Sequence, residues 1–551
     1  MSPDPAQPQV AIVGAGPTGL ALAIELGQRG IPCLLIERTR RGGHAPRAKT
    51  THVRTREHLR RWGIADKLAA ASPFGIDYPS DVHFVTRLSG HALVRFEDSL
   101  NCSPERDDRY SEHGQWIPQY KLEAVLRAHV ATLPAVRMLF ETEYLGFTPD
   151  EGGVSVRFRD STSGHEYAIE TAYLIGADGA RSLVRDQIGA RMIGTYGLSR
   201  NYNVIFRAPG LAEAHPHGPG IMYWQINAET PSLLGRMDED DLWYFMPTML
   251  PDGLTLSDAE ALELIRRSTG IDLPYKILSS DEWVASRLLA DRYRQGRVFL
   301  AGDACHLHPP FGGFGMNMGV SDAVDLGWKL AACLQGWGGP ALLDSYEAER
   351  RPVHDMVMEE AESNHAILAN QLFRPGIEDD SADGARIRAE VSDLIRETKH
   401  REFYALGVVL GYRYRHSPII IDDGSSEDWS VSREYVPSAA PGALAPHRWL
   451  EDGRSLYDLF GPGFTLLVMN ETARGDAARA QRDAMWSGVP LTIVDAWRFD
   501  LEQLYEAKLA LIRPDQHVAW RGSAWPGRDI FATVTGRRDP QFAADTARAT
   551  G

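Results

Sequence analysis

The chain has 551 residues, 43% of them apolar and 24% charged, with 58 basic against 74 acidic side chains and a net charge of −16. That length has room for about two to four domains, and the acidic balance excludes a general nucleic-acid or anionic-membrane binder, which needs a broad basic surface. The four cysteines, Cys33, Cys102, Cys305 and Cys333, form no CxxC and no metal-type pair. No apolar run is long enough to span a membrane, and Met1 to Gln9 lacks the basic start of a signal peptide, so a cytoplasmic location is expected.

In chain order, Gln9 to Val13 reads as a short buried strand. Gly14-Ala15-Gly16-Pro17-Thr18-Gly19 follows, then a helix carrying Leu20, Leu22, Ile24 and Leu26, then a second strand from Cys33 to Ile36. Glu37 ends that strand, 23 positions after Gly14. This is the dinucleotide-binding fingerprint in its strand–turn–helix–strand setting. Gly14, Gly16 and Gly19 serve the tight turn, the pyrophosphate approach and the helix contact, with Thr18 inside the loop, and the acid accepts from ribose hydroxyls. Arg38 to Arg61 then holds nine basic residues against the single acid Glu57. The excess points either to anionic ligands or, for Arg56, Arg60 and Arg61, to a solvated helix face.

Trp116 to Glu123 opens an amphipathic helix, and Tyr173 to Ala177 is a buried strand that delivers Asp178-Gly179. Between residues 191 and 289 the character changes to strands rich in aromatics, including Ile221 to Ile226, Leu233 to Asp238 and Leu242 to Met246. Tyr223, Trp224, Arg236 and Phe245 are candidate pocket residues there, although alternation lets only one of Tyr223 and Trp224 face a given pocket. Sheet core is the competing role for each aromatic. Arg297 to Ala301 is another buried strand. It runs into Gly302-Asp303, then Pro309-Pro310-Phe311-Gly312-Gly313-Phe314-Gly315-Met316-Asn317, then a helix from Val320 to Leu334. Glycines let backbone approach a ligand, the helix start offers free N–H groups, and Asp303 suits sugar or ribityl hydroxyls. A helix to about Leu372, a polar break at 373–385, a helix at about 385–405 and a break at Asp422 to Ser430 follow. Beyond Pro441, strands at Phe464 to Met469 and Leu491 to Asp495 flank a helix, and Leu509 to Trp520 reads as a hairpin.

The Gly302–Gly319 stretch resembles the second flavin-binding motif of the single-component FAD-dependent aromatic hydroxylases, the p-hydroxybenzoate and phenol hydroxylase family. The resemblance runs through nearly the whole chain in the family's motif order. It implies that Asp303 contacts the ribityl–pyrophosphate region and that Pro310, Gly315, Met316 and Asn317 border the isoalloxazine ring, which also makes Pro310 a candidate catalytic position. Pro46-Arg47-Ala48 is similar to the family's Pro-Arg-Ala, whose Arg reaches the pyrophosphate. Gln119 matches a flavin-contacting Gln, and Asp178 to Arg185 looks like the family's DG motif near FAD. Arg38, beside Glu37, joins the cofactor candidates. Lys49 falls where relatives place an Asp or His beside the substrate. It either anchors a substrate carboxylate, stabilises a phenolate or lies on the surface, and His52 is a candidate catalytic residue on the same footing.

The implied fold is α/β: a Rossmann-like FAD-binding domain (1–78, 112–190 and 290–372), an inserted antiparallel-sheet substrate domain (79–111 and 191–289), a helical segment and linker (373–436) and a thioredoxin-like C-terminal domain (437–551). No cysteine follows Cys333, so that last domain cannot do dithiol chemistry. Packing, shielding of FAD or homodimerisation are the roles left to it. His306 and His308 are weak metal evidence, and no metal is expected. The implied activity uses FAD, NADPH or NADH, and dioxygen. A flavin C4a-hydroperoxide hydroxylates a substituted phenol or related small aromatic, usually ortho to an existing hydroxyl. Baeyer–Villiger or epoxidising chemistry on a polycyclic substrate, a flavin reductase, and a non-catalytic flavin-binding module are the alternatives.

Overall fold

The computed structural model describes residues 7–40, 48–248, 256–425, 430 and 432–537. Val10–Val13 is wholly buried and pairs in parallel with Cys33–Ile36 on one side and Tyr173–Gly176 on the other. Val136–Leu139, Val298–Leu300 and Arg294–Gln295 complete a six-stranded sheet, parallel except for its last pair. The helix Pro17–Gln28 and Tyr144, Val154, Val156 and Phe158 of a three-stranded antiparallel sheet (Thr142–Pro149, Val154–Asp160 and Glu166–Thr171) share one buried core with these strands, so the central strands read as continuous apolar runs rather than alternating ones. The helix Pro17–Gln28 starts with Gly16 as its N-cap and Pro17 at the first turn, where a missing N–H costs nothing. It packs along the helix Phe314–Leu334.

A second sheet has eight strands, in the order His306–Leu307, Lys276–Ala290, Met192–Arg207, Leu242–Pro247, Ser232–Asp238, Met222–Gln225, Val82–Val85 and Ala92–Phe96. All its pairs are antiparallel except Met222–Gln225 with Val82–Val85. Its outer face packs on the helix Asp258–Thr269, through residues such as Phe206, Trp243 and Ile265. Its inner face meets Trp116, Phe311 and the helix Ala382–Phe403. The ladder between Met192–Arg207 and Lys276–Ala290 escapes sequence reading. Its first half is largely exposed, two glycines (Gly194 and Gly197) interrupt it, and a bulge shifts its register between Thr195 and Ser199.

The C-terminal unit has a four-stranded sheet in the order Leu491–Val494, Phe464–Val468, Leu509–Ile512 and Val518–Gly522. The first pair is parallel and joined by the helix Arg474–Ser487, and the rest are antiparallel. This is the β-α-β-hairpin order of a thioredoxin-like fold. Among the described residues no helix is long and apolar enough to cross a membrane.

Candidate functional site

Two strand-to-helix turns meet at one point. Gly14 has φ +103° and donates its N–H to the Ile36 carbonyl (2.8 Å). A Cβ there would strike the Ala177 carbonyl, and one at Gly19 would overlap that of Gly14. Gly302, at φ +64°, and Gly319 both abut the Thr18 side chain, which leaves no space for a Cβ at either. Thr18 is therefore wedged between the two turns, and the first turns of Pro17–Gln28 and Phe314–Leu334 lie against each other. Two adjacent helix starts with glycine-lined backbone form a cradle for a diphosphate. Glu37 is buried and accepts from Ala15 N (2.9 Å), Thr39 N (3.0 Å) and Thr39 Oγ1 (2.9 Å), which fixes the first turn. The donor set and the cradle fit FAD.

The second turn is braced from behind. Asp322 accepts from Gly302 N (3.0 Å), His306 Nε2 (2.8 Å) and Arg350 Nε (2.8 Å), with His354 Nε2 2.9 Å away, and all four side chains are fully buried. Burial alone would raise the pKa of Asp322, but His354, Arg350 and His306 override it and hold the carboxyl well below its usual range. Cys305, His306 and Asp322 bring ligand-type atoms within 4.8 Å of one another, yet the carboxylate is already committed to a guanidinium and two imidazoles. Asp303 is half-buried in the short turn Gly302–Ala304. Substitution of Asp303 by Ala is expected to give protein that purifies with much less flavin, read from the absorbance ratio. Full flavin retention would remove Asp303 from the site.

Asn317 ties the flavin loop to the segment before it. Its Oδ1 accepts from His52 N (2.9 Å) and Thr55 Oγ1 (2.7 Å), and its Nδ2 donates to Thr50 O (3.1 Å) and Gly313 O (2.7 Å). His52 is not poised as a base. Its Nε2 bonds the Gly312 carbonyl (2.9 Å), its ring stands edge-on to Phe314, and burial pushes its pKa down to about 4. Gln119 does not reach outward either. Its Oε1 accepts from Ala48 N (3.2 Å), its N donates to Ala48 O (3.0 Å), and its Nε2 donates to Glu123 (2.8 Å). It therefore sets the chain just before Lys49. Arg47 lies outside the described residues, and Arg38 is exposed. Asp178 accepts from Ser182 Oγ (2.5 Å) and Val184 N (3.2 Å), bracing the start of the helix Leu183–Gln187 that Ser182 caps, and burial raises its pKa. Arg185 spans from Ala180 O (3.1 Å) to Ala304 O (3.3 Å), joining the two loops. Pro310 is exposed, and Gly315 and Met316 are half-buried in the first turn of the helix Phe314–Leu334.

Lys49 lies between the flavin loop and the sheet. Thr50, the next residue, is the one whose carbonyl Asn317 holds, and the Lys49 Nζ sits 4.2 Å over the Tyr244 ring. Among the described residues no carboxylate pairs with it, and burial alone pulls its pKa down to about 8.

The sheet face corrects the pocket assignment. Tyr223 and Phe245 belong to the outer cluster with Trp243 and Ile265, away from the flavin loop. The inner face carries Trp224, Tyr244 and Met246 beside Phe311. Leu234 is paired with both Tyr223 and Phe245, so all three share one face, and a one-residue shift turns each inward candidate outward. Arg236 stacks over Phe74 (5.0 Å) at the sheet margin. The later part of the basic run is also corrected, since Arg54, Arg56, Arg60 and Arg61 are paired within the protein rather than forming an anion site or a solvated face. Arg54 bonds Glu57 and Gln516, Arg56 bonds Glu112, Arg60 bonds Asp458, and Arg61 pairs with Glu25. Sequence reading missed Lys399 and Asn364. Lys399 is a lysine in the apolar stripe Val391, Ile395, Phe403, and Asn364 follows Val353, Val357 and Ala361 in another, which is the signal that exposes them.

The model of an FAD-binding domain matches residues 7–361, and that of the aromatic-ring hydroxylase C-terminal domain matches residues 438–538. The chain is 34% identical to tetracenomycin B2 monooxygenase-dioxygenase of Streptomyces olivaceus, over 93% of this chain and 94% of that one. It is 33% identical to a 4-methyl-5-nitrocatechol 5-monooxygenase of a Burkholderia species, over 93% of each. Its fold is similar to that of RebC soaked with chromopyrrolic acid and holding 7-carboxy-K252c, with a TM-score of 0.89 at 34% identity, over 97% of this chain and 100% of that one.

Proposed function

The chain belongs to the FAD-dependent aromatic-ring hydroxylases, and from that premise we propose that it hydroxylates a substituted phenol or related aromatic, ortho to an existing hydroxyl, with NADH or NADPH as reductant. The observation that carries this reading is Lys49, a half-buried cation with no carboxylate partner among the described residues, set between the flavin loop and the inner sheet face. FAD, when bound in this cradle, would supply the redox chemistry between a nicotinamide reductant and dioxygen.

The chain's own residues do the rest. The glycine turns around Thr18 hold the diphosphate, and Asp303 and Glu37 take the sugar and ribityl hydroxyls. Asn317 and His52 lock the loop that borders the ring. A phenolate donates electron density to its ring far better than a phenol. The Lys49 ammonium beside the hydroxyl favours the ionised form, because an opposite charge in a dry site lowers the phenol's pKa. Trp224, Tyr244 and Phe311 exclude water from the reacting face and stack on an aromatic substrate.

The test is anaerobic. The yellow protein is mixed with NADH or NADPH, with and without a panel of phenols and hydroxybenzoates, and loss of the oxidised flavin absorbance is followed. Reduction is expected to speed up at least about tenfold with an accepted aromatic, and one oxygen atom enters the product once air is admitted. Fast reduction with no aromatic present would point to a reductase instead. A ring-expanded or ester product would point to Baeyer–Villiger chemistry.

A further inference from the structure

Among the described residues, Gln516 is the only buried non-glycine in the left-handed region of backbone space, with φ +71° at 2% exposure. It sits in the turn of the C-terminal hairpin, between Leu509–Ile512 and Val518–Gly522. Its N–H donates to Arg513 O (2.9 Å), and Arg513 N donates to His517 O (2.8 Å), which closes the turn. Glycine takes this conformation freely and asparagine with little cost, whereas glutamine is strained in it. Such strain persists only where the surrounding structure holds it. Here the side chain makes the holding contact.

The Gln516 Oε1 accepts from Arg54 Nη1 (2.6 Å), and the Asp515 carbonyl accepts from Arg54 Nη2 (2.6 Å). Arg54 is itself 2% exposed, and Glu57, one turn along its helix, accepts a further bond (3.0 Å). That helix is Val53–Arg61, and its N-cap, His52, makes no side-chain capping bond. The first turn is held by its neighbours instead, on two sides. On one side Asn317, in the helix Phe314–Leu334, accepts from His52 N and Thr55 Oγ1, and His52 Nε2 bonds the Gly312 carbonyl. On the other side the Arg54 guanidinium is seated on the hairpin turn. Val53, between them in sequence, is buried in one cluster with Phe314, Met318, Tyr412 and Tyr414. The chain from Lys49 to His52 runs directly into this turn, so the anchor on Arg54 sets where that chain meets Gly312 and Asn317.

We propose that Gln516 is a positioning residue of the cofactor site: through Arg54, the C-terminal unit holds the start of the helix Val53–Arg61 against the loop that borders the flavin ring. The neighbouring Arg513 of the same turn points elsewhere, to Asp325 and Glu349. One hairpin thus serves two purposes, docking through Arg513 and alignment of the flavin loop through Gln516. This role needs the FAD cradle alone and no particular aromatic, so it stands or falls apart from the hydroxylation reading above.

The experiment compares the flavin-loaded wild type with Gln516→Gly, Gln516→Asn and Gln516→Glu. FAD dissociation is read from the fluorescence of released flavin, the surroundings of the ring from the visible circular dichroism of bound flavin, and stability from melting with FAD in excess. Gln516→Gly removes the acceptor and the backbone strain together, so its melt is expected to stay within about 3 °C of the wild type. Its FAD is expected to bind about fivefold or more weaker, with altered dichroism. Gln516→Asn accepts the left-handed backbone but is one methylene too short to reach Arg54, and it should match the glycine variant. Gln516→Glu keeps both length and acceptor and should hold FAD as the wild type does. Wild-type affinity and dichroism in the glycine and asparagine variants overturn the role. So does equal weakening in all three variants, which places the cause in the turn and not in the contact with Arg54. Weaker binding that comes with a melt lowered well beyond that range in the glycine and asparagine variants also overturns it, and marks Gln516 as a structural staple.

Discussion

Replacing Arg513 with methionine is expected to destabilise the protein by about 3–5 kcal/mol, because it strands buried carboxylates. Arg513 comes from the hairpin of the C-terminal unit and is fully buried. It reaches Glu349 with both terminal nitrogens (2.6 and 2.9 Å), Asp325 at 3.0 Å and Asp515 at 2.5 Å. Lys329 completes the cluster, 2.7 Å from Asp325 and 2.6 Å from Glu349. Burial would favour loss of the Arg513 proton, but Asp515 and Glu349 hold its pKa well above the ordinary value. Burial pushes the Asp325 carboxyl well up, while Lys329 pulls it the other way. The two cations lie among three buried carboxylates, which tolerate burial only while those cations stay in place.

Two of its acids and its lysine sit on the helices Phe314–Leu334 and Pro340–His365, the first of which starts at the flavin loop. The arginine therefore clamps the C-terminal unit to the back of the cofactor domain, the role of packing rather than dithiol exchange. Thermal melts and limited proteolysis check this. Arg513→Met should melt earlier and expose the C-terminal unit to cleavage, and Arg513→Met with Glu349→Gln should recover part of the loss. An unshifted melt would mean that the cluster contributes nothing net to the docked structure. Glu349 is held down to about 2, with Arg513 and Lys329 overriding the effect of burial. Its folded pKa lies below its unfolded one, so its contribution is present above about pH 4.5 and is lost as pH falls toward 2.

What the chain reveals in sequence follows from how local each feature is. The flavin turns are local: strand, glycines, helix and acid lie within one short stretch, and each glycine has a steric reason that the spacing already implies. The pocket face is not local. Tyr223 and Trp224 are both buried, one on each face of the sheet, and only the ladder to Leu234 and Leu233 tells which face meets Phe311. The arginines of 54–61 look like a ligand surface because their partners come from far along the chain: Glu25, Glu112, Asp458 and Gln516. A run of one charge shows up in sequence, whereas the scattered acids that neutralise it do not. Lys399 and Asn364 fall between these cases. Each breaks an apolar helical stripe, which is visible in sequence, but their meeting point beside Trp224 is a tertiary fact.

Lys49→Met is expected to weaken binding of an anionic aromatic by about 1.5–3 kcal/mol, a loss of roughly tenfold to a hundredfold, which is the contribution of a hydrogen bond to a charged group. The pH dependence carries the sharper signature. Burial brings the Lys49 pKa to about 8, so the ammonium that holds a phenolate is present below pH 8 and disappears above it. With a phenol acidic enough to be ionised throughout, wild-type affinity should fall as pH rises through about 8. Lys49→Met should be flat, and Lys49→Arg should stay tight past that point because a guanidinium keeps its proton. Stability moves the other way. The folded pKa is depressed below the unfolded one, so between about pH 8 and 10.5 the unfolded chain binds more protons and stability rises with pH, a rise that the methionine variant lacks. A structural lysine would show the stability change alone. A residue that holds the substrate shows both, with opposite sign, and equal affinity of the methionine variant and the wild type for the phenolate would remove Lys49 from the reaction.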